Sequence, residues 1–302
     1  MTSFRTDDSE FWRAIEREIS TATRRTFTHD TLESMGGGCI NAAFRVSGGG
    51  RRFFVKLNDP GKATMFEAEA DGLRELGASG SIRVPVPICH GNAREAAFLV
   101  LEHLELGECG GASCERLGQQ LAAMHRHMTE QHGWRRDNTI GSTPQLNAWN
   151  MDWITFWGER RLGFQLALAA RNCLGSRLLH KGERLLDALP HFFPGYAPQA
   201  SLLHGDLWGG NAGATPDGEP VIFDPAVYHG DRETDLAMTE LFGGFSPRFH
   251  AAYREAFAPD PGYPTRKTLY NLYHILNHAN LFGGGYAAQA ESMMDRLLSE
   301  IK

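Results

Sequence analysis

Apolar positions first recur at helical spacing over residues 9–23, where Phe11, Trp12, Ile15 and Ile19 share one face behind an Asp/Ser start, which predicts an amphipathic helix. Two short strand-like runs follow, 41–47 and 52–57, separated by Gly48-Gly49-Gly50, and predict a hairpin. Over 63–76, Met65, Phe66, Ala70, Leu73 and Leu76 interleave with acids and predict a helix of about four turns ending at Gly77. Residues 84–88, with prolines at 85 and 87, suit an edge or connecting strand, and 98–101 a buried one. The first 103 or so residues therefore read as a small sheet with one helix inserted after its third strand. The glycine-rich stretch 107–112 reads as a linker. Beyond it the pattern turns helical, over 115–128, 153–171, 177–189, 233–242, 247–257, 266–281 and 287–298. Between these lie two β-like runs, 201–203 and 221–223, expected to pair through a turn containing Pro216-Asp217-Gly218.

This order of elements predicts an α+β fold of two lobes, a small β-rich N-lobe (1–104) and a larger α-rich C-lobe (105–302). A length of 302 residues suits two lobes of one unit better than a single small module. The net charge of -6, from 30 basic and 36 acidic residues, supplies no positive field for nucleic acid or an anionic membrane. No apolar run approaches the ~20 residues of a membrane span, and the acidic 1–10 segment lacks a secretion pattern, so a cytoplasmic location is expected. Five cysteines without a Cys-x-x-Cys pair suggest reduced thiols rather than a disulfide framework or zinc site.

The sharpest chemical signal is His204-Gly205-Asp206-Leu207-Trp208-Gly209-Gly210-Asn211, followed by Ile222-Phe223-Asp224-Pro225. Its spacing matches a phosphotransferase catalytic loop: Asp206 as the base for an acceptor hydroxyl, Asn211 five residues on and the strand-end Asp224 as magnesium ligands. Phosphoryl transfer needs these types because a hard cation on oxygen ligands offsets the anionic charge of ATP and of the transition state. His204 reads as orienting the loop, and Asp235, at a helix start, as a cap and brace.

Lys56, one of only five lysines, sits in the otherwise apolar run Phe53-Phe54-Val55-Lys56-Leu57. A buried ammonium needs partners, and in a kinase these are ATP phosphates and a carboxylate on the next helix, here Glu69 rather than Glu67. Gly37, Gly38, Cys39 and Asn41, just ahead of the hairpin, lie where a phosphate-covering loop belongs. There the Cys39 thiolate is favoured by Lys56 and backbone amides, which makes Cys39 a redox candidate.

The segments 37–41, 54–56, 65–70, 82–87, 204–211, 223–228 and 235–245 together resemble the fructosamine kinase (ketosamine-3-kinase) family, over residues 30–290. Trp208 in the loop and Asp224-Pro225-Ala226 after it separate that pattern from the related aminoglycoside and choline kinases, while His229-Gly230-Asp231 departs from the family's usual residues. The resemblance implies a protein-kinase-like fold and ATP- and Mg2+-dependent phosphorylation of the sugar 3-hydroxyl of ketosamines, on small molecules or glycated proteins, by a monomer or homodimer. It also implies a nucleotide at the 100–104 hinge, with Glu102 and Leu104 among its contacts.

Trp208 is a platform for the sugar face or a loop-packing residue. Asp231, Glu233 and Glu240, with Trp149, Trp153 and Trp157, are expected to line the entrance for a protonated amine. Two rival functions remain at this stage: a kinase for another hydroxylated amine, of aminoglycoside or choline type, and a silent ATP-binding module.

Overall fold

The computed structural model describes residues 9–36, 40–94 and 96–301. Its N-terminal part is a five-stranded antiparallel sheet in the order β1-β2-β3-β5-β4, built from β1 (Thr31–Met35), β2 (Ala42–Gly48), β3 (Arg51–Asn58), β4 (Pro87–Ala93) and β5 (Ala96–Glu102). Helix α1 (Ser9–Thr23) covers one face, where Trp12, Ile15 and Ile19 pack on Phe53, Val55 and Leu57 of β3 and on Phe98 and Val100 of β5. The two-residue alternation of strands turns Phe54 and Lys56 to the other face. Against that face lies helix α2 (Ala63–Ala78), whose Phe66, Leu73 and Leu76 share one core with Leu99, Leu101 and the helical part of the chain.

The larger part carries α3 (Ala112–Met124), the short strands β6 (Met128–Thr129), β7 (Asn138–Ile140) and β8 (Thr143–Gln145), α4 (Trp153–Phe156) and α5 (Gly163–Arg171). A π-helical turn, Trp157–Leu162, joins α4 to α5 into one rod over the predicted 153–171. After α6 (Ser176–Asp187) come β9 (Ala200–Leu203), β10 (Ala212–Ala214), β11 (Pro220–Ile222) and β12 (Tyr228–Gly230). Helices α7 (Glu233–Thr239), α8 (Pro247–Ala256), α9 (Tyr263–Phe282) and α10 (Tyr286–Glu300) complete the chain. Among the described residues no helix is long and apolar enough to cross a membrane.

Three expectations are corrected. Residues 201–203 do not pair with 221–223: β9 pairs with β12 and β6, while β11 pairs with β10, so a small hairpin is nested inside a wider antiparallel ribbon. The Pro216-Asp217-Gly218 turn is real, but its other strand is Ala212-Gly213-Ala214, too small in side chain to read as a strand. The helix expected over 115–128 starts at Ala112, inside the expected linker, and ends at Met124, releasing Met128 into β6. The edge strand β1, mostly exposed and polar, has no apolar alternation to announce it.

The β10–β11 hairpin also ties the two parts together. Ile222 N–H donates to Arg83 O at 3.1 Å, and Gly107 and Ala214 exchange hydrogen bonds of 2.8 and 3.0 Å. Helix α2 is pressed onto the segment after Asp224, since a Cβ on Gly72 would lie 2.9 Å from Val227 Cγ2.

Candidate active site

The nested ribbon brings the site together: the chain leaves β9 at His204, turns through 204–211, runs the hairpin, and returns past Asp224 into β12. Gly205 makes the first turn possible. It has φ +83°, and a Cβ there would stand 2.1 Å from Ala226 O. Ala226 N–H in turn donates to His204 O at 2.8 Å, which locks the two loops.

Asp235, at the start of α7, accepts the His204 and Gly205 amides at 2.8 Å each and His125 Nε2–H at 3.2 Å. Burial alone would raise its pKa, but these donors hold it below the usual carboxylate value. His204 is fixed as one tautomer, because its Nε2 faces the Phe223 carbonyl (2.9 Å) and its Nδ1 faces the Asp206 amide (3.2 Å). Nε2 carries the proton, and burial lowers the ring's pKa.

Asp206 lies half-buried on the cleft floor. Burial, then the Asp224 charge, push its pKa up to about 7 against the Asn211 hydrogen bond, with Asp235 adding a smaller rise. Asn211 Nδ2 donates to Asp206 O (2.9 Å), Asp206 Oδ2 (3.3 Å) and Asp224 O (3.4 Å). With its amide Nδ2 committed, Asn211 has Oδ1 left as an oxygen donor. Asp224, at φ +57°, meets Lys56: Lys56 Nζ donates to Asp224 Oδ1 and Glu69 Oε1, both at 2.5 Å. Burial alone would lower the Lys56 pKa, yet the two carboxylates outweigh it and hold it above the usual lysine value. Glu67 instead pairs with Arg136 on the helix exterior.

Asn211 and Asp224 are two oxygen donors, and among the described residues no group of three or more His, Cys, Asp or Glu side chains forms a metal cage. That donor set fits magnesium, which keeps several waters and completes its shell with phosphate oxygens. At the hinge, the Glu102 side chain accepts from Arg83 Nη2 (2.5 Å) and Val86 N–H (3.2 Å), and its own N–H donates to Val86 O (2.8 Å). His103 Nδ1 is buried there without a partner. Asn41 accepts from Asn58 Nδ2 at 2.7 Å, while Gly37, Gly38 and Cys39 lie outside the described residues. The four described cysteines are free thiols.

Four of the residues expected at the entrance, Asp231, Glu233, Trp153 and Trp157, are instead buried. Asp231 is 1% exposed and accepts from Tyr270 (2.5 Å) and Tyr196 (2.9 Å), and buried Glu233 pairs with Arg266 at 2.8 Å. A buried carboxylate needs such partners, so these two brace the core. Trp153 and Trp157 are core as well, while Trp149, 43% exposed, lies tilted with its ring centroid 5.9 Å from that of His229. Glu240 accepts from Lys267 (2.7 Å) and Tyr263 (2.6 Å). Trp208 is 39% exposed, with its ring folded over Gly210, where a Cβ would meet it at 2.2 Å.

Two bracing residues escaped the sequence reading: Gln145 Nε2 donates to Ala226 O (3.0 Å) and Asn138 Nδ2 to Val227 O (2.8 Å), anchoring the segment after Asp224. Amides on three-residue strands carry no periodic signal, and only their crowding over 138–147 marks them.

The family model for fructosamine kinase matches residues 11–300. The chain belongs to the fructosamine kinase family. A probable ketoamine kinase of Synechocystis is 47% identical, over 95% of this chain and 97% of that protein. The chloroplastic protein-ribulosamine 3-kinase of Oryza sativa subsp. indica is 43% identical, over 90% of this chain and 80% of its own. A Haemophilus somnus crystal structure assigned as a fructosamine-3-kinase superposes with a TM-score of 0.88 at 27% identity, over 96% of this chain and 98% of that one. An aminoglycoside phosphotransferase in complex with ADP and hygromycin B shares the fold, with a TM-score of 0.62 at 14% identity, over 95% and 98%. This fructosamine kinase family member is thus a phosphotransferase of the two-lobed, kinase-like α+β class.

Proposed function

We propose that the protein transfers the γ-phosphoryl group of ATP to the 3-hydroxyl of ketosamines, fructosamine or ribulosamine adducts of amines or proteins, and so supports deglycation. The reading is carried by one arrangement: Lys56 held between Glu69 and Asp224, with Asp224 beside the Asn211–Asp206 pair. In it, residues 1–104 form the phosphate-binding lobe and 105–302 carry the catalytic loop and acceptor site. Lys56 takes the α- and β-phosphates, Glu69 orients it, and the 102–104 backbone takes the adenine edge. Asn211 Oδ1 and the Asp224 carboxylate are the groups that would hold magnesium, which would supply charge neutralisation along the phosphates. Asp206 accepts the acceptor hydroxyl's proton; a base titrating near pH 7 is matched to that task. Trp208 offers its exposed ring face to the sugar. The relatives named as ketoamine and ribulosamine kinases support this choice of substrate.

ADP release with a ribulose- or fructose-derived lysine adduct is the test. It should exceed that with kanamycin or choline at least ~10-fold in kcat/KM, about 1.4 kcal/mol in transition-state binding. A preference for kanamycin or choline overturns the substrate, and no ADP release with any acceptor overturns the activity.

A further inference from the structure

The rod formed by α4 and α5 is interrupted by the π-helical turn Trp157–Leu162, which closes with the Gly163 amide donating to Gly158 O; a Cβ on Gly163 would lie 2.5 Å from that oxygen. Arg161 enters the core from this turn. It is 0% exposed, and among the described residues no carboxylate pairs with it. Its guanidinium lies 4.1 Å from the Tyr228 ring centroid and 4.7 Å from that of Phe156. It donates to neutral oxygens only: Nη1 to Leu146 O at 2.6 Å and Arg160 O at 3.2 Å, and Nη2 to Asn147 Oδ1 at 2.7 Å. Burying a charge without a counter-charge costs stability, so packing alone does not account for an arginine here.

A guanidinium has donors and no acceptor, whereas an Asn or Gln amide has one end of each kind and can be turned either way. Arg161 therefore compels Asn147 to present Oδ1. That turns Asn147 Nδ2 onto Asn138 Oδ1 at 2.9 Å and leaves Asn138 Nδ2 to donate to Val227 O at 2.8 Å. Gln145 runs beside this relay, with Nε2 donating to Asn138 Oδ1 at 2.9 Å and to Ala226 O at 3.0 Å, and with the Tyr273 hydroxyl on its Oε1 at 2.9 Å. A hydroxyl can donate or accept, so of the two groups that feed the amides from the core only Arg161 fixes their sense. The reverse sense would set Asn138 Oδ1 against the Val227 carbonyl, oxygen to oxygen.

The relay ends on the carbonyls of Ala226 and Val227, just past Asp224 in the chain. Ala226 N–H donates to His204 O, and its carbonyl is the one that Gly205 crowds. Asn211 Nδ2 reaches Asp224 O at 3.4 Å from the other side. The sense of the amides thus bears on the backbone that carries Asp224.

We propose that Arg161 is a positioning residue for phosphoryl transfer: its buried guanidinium sets the direction of an amide relay that holds residues 224–228, and with them Asp224, in place for the metal. The part that concerns the metal rests on the reading of Asp224 above; the relay stands on its hydrogen bonds alone. Three variants test it. Arg161→Gln offers an amide that can turn either way, Arg161→Lys keeps a donor-only end, and Asn138→Ala cuts the relay at its half-buried end. Hydrogen–deuterium exchange without metal or nucleotide should quicken over residues 224–230 about tenfold in Arg161→Gln and Asn138→Ala and stay within about threefold of wild type in Arg161→Lys, with residues 42–58 unchanged in all three. Unchanged exchange over 224–230 in Arg161→Gln, equal loosening in Arg161→Lys, or a rise along the whole chain overturns the relay. Calorimetric titration with ADP, with and without Mg2+, reads the consequence for the metal. Arg161→Gln should weaken Mg2+-dependent binding about tenfold and leave metal-free binding within about threefold. Equal losses overturn the positioning of Asp224. If wild-type ADP binding ignores Mg2+, the metal reading of Asp224 fails, and the exchange measurement alone decides the relay.

Discussion

Lys56 Nζ and Asp224 Oδ1 stand 2.5 Å apart although 168 residues separate them in sequence. The contact joins the strand that would hold ATP phosphates to the loop that would hold their metal, and Glu69 on α2 completes it. Gly72 brings the same helix close against Val227, so α2, β3 and the Asp224 loop are in mutual contact. Lys56→Met should therefore cost about 10²- to 10³-fold in kcat/KM for ATP, the loss typical of removing one preorganised charge from a transferring phosphoryl group. Steady-state kinetics at saturating acceptor measure it, and a loss below threefold would remove Lys56 from the phosphate site.

Asp235 is the brace of the catalytic loop, holding two of its amides and His125. Asp235→Asn keeps one acceptor and turns a donor toward the other amide, leaving a buried N–H unpaired at a cost of about 1–3 kcal/mol. The expected kinetic signature is a kcat reduced about 10²-fold with the KM for ATP within threefold, since the change misplaces Asp206 and leaves Lys56 alone. A lowered melting temperature with unchanged kcat would make Asp235 purely structural.

How much of this was legible follows from how locally each feature is encoded. Lys56, Asp206, Asn211 and Asp224 could be read because the chemistry of phosphate and metal restricts residue type and the loop restricts spacing. The helices could be read from their 3.6-residue period, α1 and α9 nearly to their ends. Strand pairing was not, because β10 is Ala-Gly-Ala and its partnership depends on where β9 and β12 meet. Trp153 and Trp157 misled because aromatic type does not say which way a ring faces. Their four-residue spacing, with Phe156 between, was the mark of a core stripe.

Gly205→Ala tests the turn itself. The added Cβ would lie 2.1 Å from Ala226 O at φ +83°, so the loop must shift, at a cost of about 1–3 kcal/mol for the crowding. Gly80→Ala is the control, since Gly80 shares a positive φ of +63° but its Cβ would meet nothing within 4 Å. Thermal melts should show Gly205→Ala well below Gly80→Ala, with activity reduced at least ~10-fold in the former alone. Equal melts and equal activities would mean that the approach to Ala226 constrains nothing.

Asp206 should make activity and stability respond to pH in opposite senses. Its pKa is pushed up to about 7 by burial and by the Asp224 charge, against about 3.9 in an unfolded chain. As a base it works only when ionised, so kcat/KM should fall as pH drops through about 7. The limb in kcat should lie lower, because neutralising Asp224 in the complex removes part of the upward push. For stability, a carboxyl with a raised folded pKa favours the folded state below the unfolded pKa, and that contribution is lost as pH rises through the folded one. Asp206→Asn, which cannot ionise, should thus melt higher than wild type at pH 8, and the gap should close toward pH 4. Melting curves of the two proteins across pH 4–8, beside the wild-type pH–rate profile, check both limbs. An acid limb below pH 5, or identical melting at pH 8, would show that Asp206 is not held at this elevated pKa.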